Sequence, residues 1–157
     1  MPAYTIPPFH PVPVRSRSDG WTPERQARFI GHLAETHSVA RAARAVGMAR
    51  EGAYRLRSRA WSHSFCLAWN AALGKQAVPA LTPAHAKVTL EELEWQFESG
   101  LWHVVMRRGK FWDLRWKPCN SAFFAAASRV GMLNRAPIWP KAVAALGDAM
   151  KTAMSVK

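Results

Sequence analysis

The segment Val39–Leu56 constrains the fold of this chain more than any other part of the sequence. An alanine-rich run at helical spacing ends at Gly47, where a turn with a positive φ is cheap for glycine alone. Apolar residues then return at Ala53 and Leu56, and Ala43 is small enough to let a second helix approach closely. This spacing predicts two short helices packed across one tight turn, the pattern of a helix-turn-helix.

Further helices are predicted on both sides of this segment. Thr22, Pro23 and Glu24 form a strong helix start, with a capping hydroxyl, proline at the first position and an acid near the positive helix end. Four helices are expected, over about Thr22 to His37, Ser38 to Val46, Ala49 to Ala60 and Ser62 to Leu73. Their predicted core residues recur at helical spacing and are Phe29, Ile30, Leu33, Val39, Ala42, Ala43, Val46, Ala53, Leu56, Ala60, Phe65, Ala68, Trp69 and Ala72.

The second half of the chain changes its pattern. A capping box at Thr89 opens a helix to about Ser99, and β-prone runs at 102–107 and 111–116 predict a hairpin with a two- or three-residue loop. Helices are then expected from Asn120 to about Val130 and from Lys141 to Met154. The predicted fold class is therefore mainly α. Its five parts are an arm (1–20), a helix-turn-helix domain (21–73), a linker (74–88), a helix–hairpin–helix region (89–135) and a C-terminal helix (136–157).

The amino-terminal arm contains five prolines before Val14 and two arginines, Arg15 and Arg17, after it. Proline removes backbone donors and fixes φ, so we expect an extended, mobile segment. It is either a solvated tail or a basic arm that lies along DNA.

The charge balance favours a polyanionic partner. Lys and Arg number 22 against 10 Asp and Glu, a net charge of +12. The predicted third helix turns a basic and polar side away from Ala53 and Leu56, a composition suited to phosphates and guanine edges. Arg50, Tyr54 and Arg55 are expected near base edges. The full set of predicted DNA-binding residues is Arg50, Glu51, Tyr54, Arg55, Arg57, Ser58, Arg59, Arg44, Arg15 and Arg17, of which Arg44, Arg57, Arg59 and the arm would neutralise phosphates.

Several segments together carry a resemblance to uncharacterised helix-turn-helix proteins of alphaproteobacteria. It is strong from about residue 20 and looser after Leu73, up to about residue 135. The resemblance implies a homeodomain-like trihelical fold and a layout similar to phage small terminase subunits. The segments are Gly20–Gln26, Leu33–Thr36, Ser38–Val39, Ala42–Met48, Ala53–Arg57, Phe65 with Ala68–Leu73, and Val104–Gly109.

The sequence departs from this pattern in three places. Ala49 lies where a capping Ser or Thr is expected, a loss of about 1 kcal/mol. Gly52 lies inside the predicted third helix, where it costs about 1 kcal/mol relative to Ala. The hairpin is also rich in tryptophan, with Trp102, Trp112 and Trp116.

No catalytic or metal-binding pattern is found. The six histidines are scattered, Cys66 and Cys119 form no Cys-x-x-Cys pair, and the acids at 91–98 fit a capping box and a solvated helix face. We expect no enzyme activity, no metal, no cofactor and no small-molecule substrate. Without a signal sequence or a long apolar run, a cytoplasmic protein that does not enter a membrane is expected.

These observations predict sequence-specific binding of double-stranded DNA by a bacterial or prophage transcription regulator. The alternatives are a phage small terminase subunit, which packages DNA, and an adaptor that binds a protein through its tryptophan-rich hairpin.

A homo-oligomer formed beyond Thr89 is also expected, because the hairpin is apolar on both faces. Strand alternation predicts that one face carries His103, Val105, Trp112 and Leu114, and that the other carries Trp102, Val104, Met106 and Phe111. The helix after Asn120 would cover one face, through Phe123, Ala127 and Val130. The helix after Thr89, through Leu93 and Phe97, or a second chain would cover the other.

Overall fold

The computed structural model describes residues 6–15, 17–75 and 88–131. Over these ranges the fold is mainly helical, with one two-stranded antiparallel sheet, which confirms the predicted class at this level. The elements are α1 (Pro23–Thr36), α2 (Val39–Ala45), α3 (Arg50–Arg57), α4 (His63–Ala72), α5 (Leu90–Ser99), β1 (Leu101–Arg107), β2 (Lys110–Lys117) and α6 (Asn120–Arg129). The predicted helix at 141–154 and most of the predicted linker lie outside the described residues.

The helix starts follow their capping residues. The hydroxyls of Thr22, Ser38 and Thr89 accept hydrogen bonds from backbone N–H groups three residues onward, at 3.3, 3.5 and 3.2 Å. These caps confirm the predicted starts of α1, α2 and α5. Helix α3 has no side-chain cap at Ala49 and ends at Arg57 rather than near Ala60, so it is shorter than predicted.

The main core forms around α1 and α4. Phe29 of α1 packs against Phe65 and Trp69 of α4, with ring centroids 6.5 and 5.0 Å apart. The buried members of the main core are Ile6, Phe9, Val12, Trp21, Ala27, Phe29, Ile30, Leu33, Ala42, Ala43, Ala53, Leu56, Phe65, Ala68, Trp69 and Ala72. The core residues predicted for α1 to α4 are confirmed with one exception. Ala60 was expected to face inward but is exposed, because α3 ends at Arg57 before reaching it. Val39 and Val46 are partly buried against this core.

Residues 6–14 of the amino-terminal arm belong to this core, which corrects the expectation of a mobile segment for this part of the arm. Phe9 and Val12 are fully buried, and the ring of Phe9 meets that of Phe65 edge-on at 5.7 Å. Backbone hydrogen bonds of 3.1 and 2.9 Å join Phe9 to Trp102. The prolines leave few backbone donors to satisfy, so an extended segment can be buried as long as its apolar side chains face the core.

Gln26 of α1 holds the arm in place. Its side chain is fully buried; the carbonyl oxygen accepts from the Val12 N–H at 2.7 Å, and the amide donates to the Val12 carbonyl at 2.9 Å. The amide also donates to the carbonyl of Trp21 at 3.0 Å. This side chain thus pairs with the arm backbone as a neighbouring strand would.

The hairpin has a two-residue loop, Arg108-Gly109, with φ of 51° and 76° at the two positions. Positive φ at both central residues is the form that matches the twist of paired strands. A bulge interrupts the register between Val105 and Met106, because Val105 pairs with Asp113 and Met106 pairs with Phe111. Trp112 is therefore the extra residue.

The bulge reverses the alternation of side chains along β2. Leu114 joins Trp102, Val104 and Met106 against the main core, whereas Trp112 is 65% exposed. The predicted grouping of Leu114 with His103 and Val105 is wrong for this reason.

The hairpin packs on α1 and not on α6, contrary to the expected arrangement. Phe111 lies against the bare Cα of Gly31, where an added Cβ would collide with its ring, and its ring centroid is 5.1 Å from that of His32. Absence of a side chain at Gly31 allows the close approach of strand and helix. One face of the hairpin is thus covered within the same chain.

Helices α5 and α6 pack against each other and form a small satellite core. Its buried members are Leu93, Cys119, Ala122 and Ala126, with Val88 and Phe97 packed beside them. The rings of Phe97 and Phe123 lie 5.3 Å apart. Phe97 therefore contacts α6. The prediction that these two helices cover the faces of the hairpin is corrected, because they pack against each other instead.

Candidate nucleic-acid interface

Helices α2 and α3 meet across a tight turn. Gly47 has φ of 71°, and the Met48 N–H donates to the Ala43 carbonyl at 2.9 Å. Ala43 on α2 is buried, as are Ala53 and Leu56 on α3. The residues whose spacing predicted this turn therefore lie where the two helices contact each other and the core.

The rest of α3 faces outward. Arg50, Glu51, Tyr54 and Arg55 are exposed, as is Ser58 at the end of the helix. Tyr54 keeps half of its surface exposed, at 50%, while its ring centroid stays 5.7 Å from that of Trp69. The structure thus brings these five predicted residues to one side of α3.

Arg57 has a different environment from the other predicted residues. It is half-buried, its guanidinium donates to the Asn70 Oδ1 at 3.1 Å, and it lies over the Trp69 ring at 5.4 Å. These contacts connect the end of α3 to α4. Arg57 is therefore largely engaged inside the protein.

The amino-terminal arm passes beside the end of α3. The exposed Arg59 donates through Nη1 to the carbonyl of Pro13 at 3.4 Å. Arg15 follows two residues later, and both Arg15 and Arg17 are exposed. The arm is therefore anchored in the main core and contacts Arg59, just after α3, at Pro13, two residues before Arg15. Arg44 is exposed in the last turn of α2.

Gly52 has a packing reason to lie inside α3. An added Cβ would lie 2.9 Å from the Nε1 of Trp21, and the Trp21 ring is buried against Phe29, with centroids 5.4 Å apart. The indole therefore holds the first turn of α3 against the start of α1. This contact offsets the cost in helix propensity that the sequence indicates.

Glu51 is the one acid on α3. Its carboxylate lies 3.3 Å from the guanidinium of Arg50. A hydrogen bond from its own backbone amide, together with the charges of Arg50 and Arg55, lowers the pKa of Glu51. The carboxylate is thus ionised at neutral pH and offsets part of the positive charge at the start of the helix.

A second group of cations, on the hairpin, was missed by the sequence analysis. Arg107, Arg108, Lys110, Arg115 and Lys117 are all exposed. The acids of α5 precede them in the chain and conceal the local excess when charge is counted over a long window. A count limited to residues 107–117, where the only acid is Asp113, would have revealed it.

Two other features bear on the class of protein. In the described ranges, no three His, Cys, Asp or Glu side chains are grouped so as to hold a metal ion. The helices of those same ranges also include none that is long and apolar enough to cross a membrane.

Comparison with known proteins gives no relative on which to base a function. No protein-family model matches the chain, and no curated protein or solved structure shows significant similarity to it.

Proposed function

We propose that the chain binds double-stranded DNA, with α2 and α3 forming a helix-turn-helix and α3 entering the major groove. The observation that carries this proposal is the contrast between the two sides of α3, one apolar and buried, the other basic and exposed. Ala53 and Leu56 attach it to the core, while Arg50, Tyr54 and Arg55 point to solvent. A short helix that presents arginines in this way suits bidentate contacts with guanine edges.

Phosphate contacts would flank the recognition helix. The candidates are four exposed cations: Arg44 at the end of α2, Arg59 after α3, and Arg15 and Arg17 on the arm. The contact between Arg59 and Pro13 supports a shared role for Arg59 and the arm. Arg57 would act mainly by fixing α3 on α4, through Asn70 and Trp69.

We propose that its biological role is that of a bacterial or prophage transcription regulator at the nucleoid. A single helix-turn-helix reads few base pairs, so such modules usually bind paired half-sites as dimers. Phe124 of α6 offers a candidate contact for a second copy, because it is 64% exposed. Self-association remains a prediction, which light scattering of the full chain would test.

The salt dependence of duplex binding tests the proposal. A fluorescent random duplex of about 20 base pairs, long enough for two half-sites, is titrated with the protein at about 50 and about 200 mM salt. With six or more phosphate contacts, affinity should fall by about 10³-fold or more between the two conditions. No binding at the lower salt concentration would refute a DNA-binding function.

The role of α3 is tested with two substitutions of equal charge change. Arg55→Ala should weaken binding to a selected duplex by about 1–3 kcal/mol and reduce discrimination against random DNA. Arg28→Ala removes an exposed arginine of α1 that pairs with Glu24 at 2.7 Å, and it should change affinity little. If the two variants lose affinity equally, α3 is not the recognition element.

A further inference from the structure

The outer face of the hairpin is strongly basic. The register places Arg107 opposite Lys110 and His103 opposite Arg115, on the side of the sheet that faces away from α1. Arg108 in the turn and Lys117 near the open end extend the same charge. Like charges directly opposite each other destabilise a strand pair, so the pairing of Arg107 with Lys110 carries a cost that the fold alone does not explain.

Neighbouring acids do not neutralise this charge. Within the described ranges, no carboxylate lies within 4.0 Å of a hairpin cation, since the ion pairs found there involve Arg28, His32 and Arg50. Asp113 accepts a hydrogen bond from the Leu114 N–H at 2.8 Å. Burial lowers the pKa of His103, and the charges of Lys117 and Arg115 lower it further. Five cations therefore share this face with a single exposed carboxylate, that of Asp113 opposite Val105, and the face keeps a net positive charge.

Trp112 adds a flat apolar surface to the cations. The bulge turns it outward, where it is 65% exposed, and the guanidinium of Arg107 lies 5.0 Å from its ring. Tryptophan is highly buried on average, as Trp69 and Trp21 are, and Trp112 is more exposed than any other tryptophan in the described ranges. An exposed indole bordered by a guanidinium group combines a stacking platform with phosphate-binding charge.

We propose that this outer face is a binding site for single-stranded nucleic acid, distinct from the duplex-binding surface on α3. An unpaired base would stack on Trp112, and the flanking phosphates would pair with Arg107, Arg108, Lys110 and Arg115. A base in an intact duplex offers no free face for such stacking, whereas every unpaired base does. An acidic peptide supplies a planar ring only where it carries an aromatic side chain, whereas every nucleotide brings both a phosphate and a planar base, so the chemistry favours a nucleic acid strand.

The test uses the full chain and a fluorescent oligothymidylate of about 15 nucleotides, within the range of single-strand site sizes. Trp112→Ala should weaken its binding by about 5- to 150-fold, whereas Trp112→Phe, which keeps a ring, should lose much less. Arg55→Ala should leave this binding nearly unchanged while it weakens duplex binding. The proposal for this face and the proposal for α3 can therefore be refuted independently of each other.

Charge reversal gives a second test that does not depend on the indole. Lys110→Glu should weaken binding of the oligonucleotide far more than Lys75→Glu, which makes the same charge change at an exposed residue after α4. Circular dichroism checks that each variant is folded. The proposal is overturned if Trp112→Ala and Lys110→Glu both bind like the parent chain. It is equally overturned if a polyglutamate peptide of matched charge binds as tightly as the oligonucleotide, since the surface would then fit an acidic protein.

Discussion

The main core and the satellite core are built from different classes of side chain. The main core contains the largest fully buried residues, among them Trp69, Phe9 and Phe29, and it draws them from the arm, α1 and α4. The satellite core between α5 and α6 buries Leu93 and otherwise small residues. Because apolar burial contributes in proportion to area, most of the stability must come from the main core.

The arm connects the two cores. Besides filling the main core, it accepts a hydrogen bond at the Pro11 carbonyl from Trp95 of α5, at 2.7 Å, and His10 bonds to the Gly100 carbonyl at 2.9 Å. The indoles of Trp102 and Trp116 both donate to the Ser99 carbonyl, at 3.1 and 3.0 Å. The satellite core is thus attached mainly by polar contacts, and the main core is held by aromatic packing.

The largest expected effect comes from truncating an aromatic ring in each core. Phe9→Ala should lower the free energy of unfolding by about 3–5 kcal/mol, because it leaves a cavity beside Phe65 and Trp102. Phe123→Ala removes a half-buried ring of the satellite core and should cost about 1–2 kcal/mol. Urea unfolding followed by tryptophan fluorescence measures both. Equal losses would show that the two cores do not differ as their composition indicates.

Local signals predicted the helices well, and contacts distant in sequence explain what was missed. The capping residues Thr22, Ser38 and Thr89 act within three residues of their partners, so their roles can be read from the sequence. The burial of Phe9 depends on Trp102 and Phe65, far along the chain. A proline-rich composition shows that such a segment is extended but not whether it is packed.

The two basic surfaces also differ in how far the sequence predicts them. The exposed side of α3 follows from helical spacing around Ala53 and Leu56, and its predicted residues lie together. The outer face of the hairpin depends on one bulge residue, Trp112, which shifts the alternation for the rest of β2. Strand alternation has a period of two, so a single inserted residue moves every later side chain to the other face.

The second prediction compares two glutamines. Gln26→Met should lower the free energy of unfolding by about 1–3 kcal/mol, since it leaves the buried Val12 N–H and two carbonyls without partners. Gln96→Met makes the same change on α5, where the side chain is half-buried and bonds Glu92 at 3.4 Å. It should cost far less. Thermal unfolding by circular dichroism measures both, and similar losses would contradict the role of Gln26 in holding the arm.

The smallest expected effect concerns pH at the contact between the arm and the satellite core. His10 donates from Nδ1 to the Gly100 carbonyl, and its Nε2 lies 3.8 Å from the Cys119 Sγ. Burial lowers the pKa of His10, while the Gly100 bond and the Glu92 carboxylate oppose that shift. The folded state therefore binds the proton less readily than the unfolded chain does. The stability contributed by the neutral ring is complete above the ordinary histidine pKa of about 6.5 and is lost as the pH falls below it.

His10→Asn separates this titration from the hydrogen bond. Asparagine can still donate to the Gly100 carbonyl but carries no proton that titrates in this range, so the variant should lose less stability than the parent between about pH 7 and about pH 5. His103 also has a lowered pKa, so a residual slope should persist. His10→Ala removes the donor as well and should be less stable than His10→Asn at both pH values. Unfolding midpoints in urea at the two pH values measure all three proteins. A His10→Asn variant with the full pH dependence of the parent would show that the contact between arm and satellite core does not depend on a neutral His10, and that other groups, His103 among them, cause the acid sensitivity.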